Sequence, residues 1–135
     1  MKPITLLFLL MFSTVSFAEI AIVVHPDNNN TLDPKLVARI FTGKLKSFPD
    51  GSLAVPIAQA DGTSTTQEFN TKVLKKSGSQ LKAYWSKLVF TGKGTPPKKV
   101  SSDAEMLELI ASNPNFIGYV AAGSVGTGVK VITTL

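Results

Sequence analysis

The sequence predicts a single α/β domain with a small mixed sheet of about four strands flanked by helices. Short runs of strand-forming residues, such as IAIVV at 20–24 and FIGYV at 116–120, alternate with longer segments whose apolar residues recur at helical spacing. Ser, Asp and Asn lie where helices should begin, and Gly and Pro lie where elements should end. Strands separated by helices are typical of a layered α/β domain.

The first 18 residues are predicted to be a signal peptide rather than part of this domain. Lys2 precedes an apolar run at 4–12, and Ser16-Phe17-Ala18 supplies small residues before a cut at Glu19. The run is shorter than the ~20 residues that span a bilayer, which argues against the alternative of a membrane anchor. Residues 19–135 then form one domain, exported to the periplasm and not membrane-spanning after signal removal. The lack of cysteine suits an exported bacterial protein without disulfides.

Charge and motif content exclude several classes of function. The chain has 14 basic and 9 acidic residues, so removal of Lys2 leaves 13 − 9 = +4. The lysines are dispersed, and no dense basic stripe with exposed aromatics predicts nucleic-acid binding. His25 is the only histidine, and no nucleophile–base pair, metal-ligand cluster, GxxxxGK[ST] or GxGxxG motif occurs. We therefore expect no enzyme activity, no metal and no cofactor.

The elements of the first half follow from caps and apolar spacing. The continuous apolar run at 20–24 predicts a strand covered on both faces. Asp33-Pro34 supplies an N-cap and an N1 proline for a helix that ends at Gly43. A second strand is predicted at 55–58, with Pro56 near its start or on an edge.

In the second half, Ser79 is expected to cap a helix that buries Trp85 in the core. Residues 91–99, TGKGTPPKK, are predicted to be an irregular basic loop because glycine and proline break both periods. Ser102 and Glu105 predict a capping box for the next helix. A strand at 116–120 and an edge strand at 129–133 complete the domain.

The stretch at 54–74, AVPIAQADGTSTTQEFNTKVL, is the main candidate for a binding site. Asp61-Gly62 turns the chain after a strand, and the next helix begins among four consecutive hydroxyl residues, Thr63, Ser64, Thr65 and Thr66. The N-terminus of a helix carries unpaired N–H groups and a partial positive charge, so it can bind phosphate, sulfate or carboxylate without a metal. A well-capped helix that binds no ligand is the alternative reading of the same residues.

Three further motifs occur in order along the chain: IFTGK at 40–44, FTGKGTPP at 90–97 and NFIGYV at 115–120. Together with the loop at 59–66 they resemble the periplasmic phosphate-binding proteins of ABC transporters, and most closely the short members that have a single lobe. The resemblance implies one lobe of a type II periplasmic-binding-protein-like fold. It also implies a periplasmic protein that binds phosphate or a related oxyanion and works with an ABC transporter permease.

By the same resemblance, the binding residues would be Gln59, Asp61, Gly62, Thr63, Ser64, Thr65 and Thr66. Gln59 stands where the family typically has an arginine, so the loop loses a charge-assisted donor. A single lobe also leaves the site open to water, which predicts weak binding. The alternative is an adaptor that interacts with an envelope protein and keeps the loop only as a remnant.

Overall fold

The computed structural model describes residues 19–135, so the predicted signal peptide lies outside the described residues. The helices and strands are β1 (Ile20–Val24), α1 (Pro34–Phe41), β2 (Val55–Gln59), α2 (Ser64–Phe69), α3 (Gly78–Phe90), β3 (Lys98–Val100), α4 (Asp103–Ser112), β4 (Phe116–Ala121) and β5 (Lys130–Thr134). A π-helical turn, Asn70–Leu74, continues α2 directly. The α/β class is confirmed.

The strands form one mixed sheet in the order β3-β2-β4-β1-β5. β2 runs parallel to both β3 and β4, whereas β1 runs antiparallel to both β4 and β5. The sheet has five strands rather than about four, and β5 lies at an edge as predicted.

The additional strand is β3, which falls partly in the segment predicted to be an irregular loop. Lys98 and Lys99 pair in parallel with Ile57 and Ala58, and only Val100 of this strand is buried. No apolar pattern announces the strand, because it is held by backbone pairing with β2. Exposed lysines at a sheet edge also hinder pairing with another chain.

The sheet separates two apolar layers, and β1 contributes to both. Ile20, Ile22 and Val24 pack with α1 and α2 on one face, whereas Ala21 and Val23 pack with α4 on the other. Successive side chains of a strand point to opposite faces, so a strand with both faces covered is apolar throughout. This accounts for the uninterrupted IAIVV run.

Gly118 allows α4 to lie close to β4. A Cβ atom at this position would collide with the sulfur of Met106, and it would lie 3.3 Å from Cδ1 of Ile110. Met106 and Ile110 are the buried residues of α4. The glycine in the middle of FIGYV is therefore a packing requirement.

Two of the predicted helix starts occur where expected. The Asp33 side chain accepts a hydrogen bond from Leu36 N at 2.8 Å, ahead of a proline in the first turn. Ser102 caps α4 by accepting from Glu105 N at 3.1 Å. The Glu105 carboxylate accepts from Ser101 N instead of completing the predicted capping box.

The two predictions for α3 are wrong. Ser77, not Ser79, is the N-cap: its hydroxyl accepts from Gln80 N at 3.2 Å, and the Gln80 side chain accepts from Ser77 N at 2.9 Å. α3 has no buried residue, and Trp85 is only half-buried. The apolar stripe of α3 therefore does not form part of the core.

Candidate functional site

The predicted site is a tight connection between β2 and α2, here called the anion loop (residues 61–66). Gly62 turns the chain with a φ of +87°, a conformation that favours glycine. Thr63 caps α2, and its hydroxyl accepts from Thr66 N at 3.2 Å. The same hydroxyl lies 3.1 Å from Ala60 O and 2.9 Å from Thr66 Oγ1. The side chains of Thr63 and Thr66 thus hold the loop in shape.

The anion loop leaves four backbone donors unused. Among residues 19–135, no hydrogen bond is made by the N–H groups of Asp61, Gly62, Ser64 or Thr65. The hydroxyls of Ser64 and Thr65 likewise have no partner among the described residues. Ser64 is exposed and Thr65 is half-buried. These groups can donate to an anion from solvent.

Gln59, which the sequence predicts to bind the oxyanion, lies in a buried environment where other residues occupy its side chain. The residue is 2% exposed, and its side-chain amide nitrogen donates to Asp103 Oδ1 at 2.5 Å and to Tyr119 O at 3.0 Å. A side-chain amide has two N–H donors, and both are engaged. Asp103 is also anchored, because its other oxygen accepts from Ser124 Oγ at 2.7 Å. Gln59 therefore links β2 to α4 and β4 and does not face the anion loop.

Tyr119 supports the anion loop from beneath. Its hydroxyl accepts from Gln59 N at 2.9 Å and lies 3.1 Å from Thr66 Oγ1. Its ring stacks on Phe69 with centroids 4.0 Å apart, and Phe41 contacts both rings. Burial of the ring raises the pKa of the Tyr119 hydroxyl, so it remains a neutral hydrogen-bonding group at physiological pH.

A charged pair lies beside the anion loop. Lys99 Nζ donates to Asp61 Oδ2 at 2.8 Å, and the two side chains are 47% and 81% exposed. A carboxylate near a bound anion would repel it, and the ammonium group offsets that repulsion. Because both groups are exposed, solvent and salt screen the pair.

α3 lies over the aromatic cluster and leaves a cavity of about 670 Å³, here called the α3 cleft. The Tyr84 hydroxyl donates to Thr42 O at 2.6 Å. The Trp85 ring passes close to Gly43 and Gly94, where a Cβ atom would lie 3.3 and 3.6 Å from it. These contacts hold α3 to the loops at 42–43 and 94 rather than to the sheet.

Three residues that shape the site were not singled out by sequence reasoning: Tyr119, Lys99 and Asp103. Tyr119 lies in a predicted strand, and only the packing of that strand beneath α2 brings its hydroxyl to Thr66. Lys99 reaches the site because β3 pairs with β2, and this pairing places Lys99 opposite Ala58. Asp103 is the first residue of α4, and it reaches Gln59 only because α4 lies against the sheet.

No group of His, Cys, Asp and Glu residues within 19–135 is arranged to hold a metal ion. His25 Nδ1 accepts from Asp27 N at 3.1 Å in the turn after β1. Over the same residues, no helix combines the length and the apolarity that a bilayer crossing requires.

Comparison with known proteins finds one matching family model and several solved structures of similar fold. The family model described as the PBP superfamily domain matches residues 10–131. No curated protein matches the sequence significantly. The family and its solved neighbours are substrate-binding proteins rather than enzymes, in agreement with the prediction of no catalytic activity.

Three solved structures share the fold. A phosphate ABC transporter substrate-binding protein from Clostridium perfringens, solved with bound phosphate, is 20% identical with a TM-score of 0.67, over 85% of this chain and 45% of that one. An ABC-type phosphate transport receptor from Vibrio cholerae is 20% identical with a TM-score of 0.66, over 85% and 46%. PstS from Borrelia burgdorferi is 15% identical with a TM-score of 0.63, over 87% and 48%. The chain thus spans less than half the length of each.

Proposed function

The chain belongs to the PBP superfamily, and we propose that it binds phosphate or a related small oxyanion at the anion loop, weakly, in the service of an ABC transporter. The observation that carries the proposal is the set of unused donors at the start of α2, namely the N–H groups of Gly62, Ser64 and Thr65. α2 continues without a break into the π-helical turn, so the helical segment reaches from Ser64 to Leu74. Its aligned peptides favour negative charge at the loop.

The proposed ligand contacts are narrower than the set assigned from sequence. The amides of Gly62, Ser64 and Thr65 and the hydroxyls of Ser64 and Thr65 are the direct donors. The hydroxyls of Thr63 and Thr66 act as supports because each is engaged within the loop. Gln59 has no spare N–H group, so it acts through Tyr119 and Asp103. Lys99 supplies the nearby positive charge.

Weak binding follows from the openness of this site. Each hydrogen bond from an amide or hydroxyl to the anion yields only about 1.5–3 kcal/mol net, because water competes for the same groups. We expect a dissociation constant for phosphate above about 10 μM. The phosphate bound in the Clostridium perfringens neighbour and the phosphate transport named for the Vibrio cholerae neighbour support phosphate as the first ligand to test. A periplasmic location, with cleavage before Glu19, belongs to the same proposal.

Calorimetric titration with phosphate and sulfate at fixed ionic strength tests this function. Ser64→Pro removes one loop N–H and one hydroxyl donor at the first helical position, where proline is tolerated. The preceding Thr63 has φ −73° and ψ 146°, a conformation compatible with a following proline. We expect Ser64→Pro to abolish detectable phosphate binding while the fold is retained.

Gly78→Pro is the control for the backbone change, because it also replaces the first residue of a helix, α3, by proline. The preceding Ser77 has φ −75° and ψ 164°, and a Cβ atom at Gly78 would meet nothing within 4 Å. This variant should bind phosphate like the wild type. Nanomolar binding by the wild type would contradict the argument from an open site, and undiminished binding by Ser64→Pro would remove the anion loop as the site.

An adaptor that docks on an envelope protein is the second candidate, and exposed apolar residues at the end of α3 favour it. Phe90 is 92% exposed and Val89 is 53% exposed. Absence of oxyanion binding, together with retention of the protein on a periplasmic partner through Phe90, would favour the adaptor. Loss of that retention in Phe90→Ser is the measurement that separates the two functions.

A further inference from the structure

The α3 cleft is much larger than an inorganic oxyanion requires. Its volume is about 670 Å³, within the roughly 300–1,000 Å³ of pockets that enclose organic ligands. The aromatic rings of Phe69 and Tyr119 line it on the side of the sheet, and Leu81 and Trp85 line it from α3. The walls are therefore mainly apolar, as expected for a pocket that removes a hydrocarbon surface from water.

The charged groups of the cleft give its lining an excess of one positive charge. Asp61, Lys82 and Lys99 are the charged residues that line it. Asp61 and Lys99 pair at 2.8 Å. Within residues 19–135, no carboxylate forms an ion pair with Lys82. A ligand with a negatively charged head would complement this lining.

We propose that the α3 cleft binds a small amphiphilic anion, with its hydrocarbon body between α3 and the aromatic rings and its single anionic head beside Lys82 and Lys99. The head is a carboxylate or a phosphate monoester, because both accept hydrogen bonds from an ammonium group. Asp61, Thr66 and Lys99 border both the anion loop and the cleft, whereas Gly62, Ser64 and Thr65 do not line the cleft. The inference therefore does not require phosphate to bind at these three amides.

The half-buried position of α3 is consistent with such a ligand. The helix has 13 residues and none of them is buried. Its apolar stripe faces the cleft with Leu81 and Trp85 instead of packing against the protein's own core. A hydrocarbon body in the cleft would remove these side chains from water.

Trp85 is the only tryptophan of the chain, and its fluorescence reports binding beside α3. It also lines a second cavity, of about 730 Å³, together with Tyr84 and Leu88 of the same helix. Fluorescence alone therefore detects binding without distinguishing the two cavities. Variants that change one cavity at a time make the distinction.

The first experiment titrates purified protein with octyl phosphate, hexyl phosphate, 1-octanol and inorganic phosphate, below the concentration at which micelles form. We expect octyl phosphate to shift the Trp85 emission and to bind more tightly than hexyl phosphate, by about fourfold for each methylene that is fully buried. Octanol should bind more weakly than octyl phosphate. Inorganic phosphate should leave the Trp85 emission unchanged, whether or not it binds at the anion loop.

The second experiment uses matched pairs of variants. Lys82→Gln should weaken octyl phosphate about two- to fivefold and leave octanol unchanged, whereas Lys87→Gln on the same helix, outside both cavities, should change neither. Ser86→Phe fills the α3 cleft and should weaken octyl phosphate at least tenfold. Thr95→Phe fills only the second cavity and should leave octyl phosphate binding unchanged. Circular dichroism checks that each variant is folded.

Three results would overturn the inference. They are the absence of octyl phosphate binding, equal affinities for octyl phosphate and octanol, and loss of binding in Thr95→Phe rather than in Ser86→Phe. Failure of inorganic phosphate to bind in calorimetry would contradict only the proposed function. Binding of octyl phosphate in the α3 cleft is measured separately, by the Trp85 emission and by the effect of Lys82→Gln. If inorganic phosphate binds in calorimetry and an alkyl chain on the phosphate does not raise the affinity, only the inference about the α3 cleft is overturned.

Discussion

α2 and α3 follow each other in the chain, yet they relate to the fold in opposite ways. α2 is six residues long, and it buries Thr66 and Phe69 against the sheet. α3 is 13 residues long, begins with a complete capping box and buries nothing. The shorter helix therefore contributes to the core, and the longer one covers a cleft. Good local helix signals fix where a helix starts, whereas burial depends on what lies opposite it.

The largest expected difference between the two helices is in the free energy of unfolding. Phe69→Ala removes a ring that is 1% exposed, stacks on Tyr119 and meets Phe41 edge to face, so it should cost about 3–5 kcal/mol. Trp85→Ala removes a larger but half-buried ring and should cost less than about 2 kcal/mol. Urea melts of both variants check this. Equal losses would mean that α3 belongs to the core after all.

Tyr119 gives the next largest effect, because it ties α2 to the sheet. Tyr119→Phe leaves the buried N–H of Gln59 without an acceptor and should cost about 1–3 kcal/mol at pH 7. Stability should also depend on pH. Burial raises the pKa of this hydroxyl above its ordinary value of 10.0, so above that pH the unfolded chain loses its proton before the folded protein does.

The stabilisation from a neutral Tyr119 is therefore complete below about pH 10 and declines as the pH rises toward the folded-state pKa. Urea melts at pH 9 and pH 11 should show a steeper loss for the wild type than for Tyr119→Phe. A steeper alkaline loss in Tyr119→Phe than in the wild type would contradict the assignment.

The caps of the two helices should show the smallest difference. Ser77→Ala removes the cap of α3 and should cost about 1 kcal/mol or less. Thr63→Ala removes the cap of α2 and also the contact with Thr66 Oγ1, so about 2 kcal/mol is expected. Thermal unfolding of the two variants compares them. A larger loss for Ser77→Ala would show that the stability of α3 limits that of the whole domain.

The binding site repeats the same contrast at the level of single residues. The resemblance to phosphate-binding proteins predicts that Gln59 binds the anion, because it stands where those proteins typically have an arginine. In the fold, its N–H donors bind Asp103 and Tyr119 instead. An arginine at this position would meet the Asp103 carboxylate before it reached the anion loop. Ser64 and Thr65 were assigned from their place at a helix start, and their amides are unpaired as expected.

The sequence by itself determined the features that depend on neighbouring residues. The strand at 20–24, the N-caps Asp33 and Ser102 and the turn at Asp61-Gly62 each follow from a spacing of a few residues, and each is present. The family could also be recognised, because its motifs are short and contiguous. Local chemistry of this kind acts before any tertiary contact forms.

Tertiary structure decided the features that depend on residues far apart in the chain. β3 exists because β2 offers an unpaired edge, although its own residues include two exposed lysines. Trp85 remains half-buried because α3 lies above the α3 cleft, and Gln59 is occupied because Tyr119, 60 residues away, folds beneath it. Helical spacing shows that a side chain shares an apolar stripe. Whether the stripe is buried depends on the surface that long-range packing places opposite it, and that surface is encoded elsewhere in the sequence.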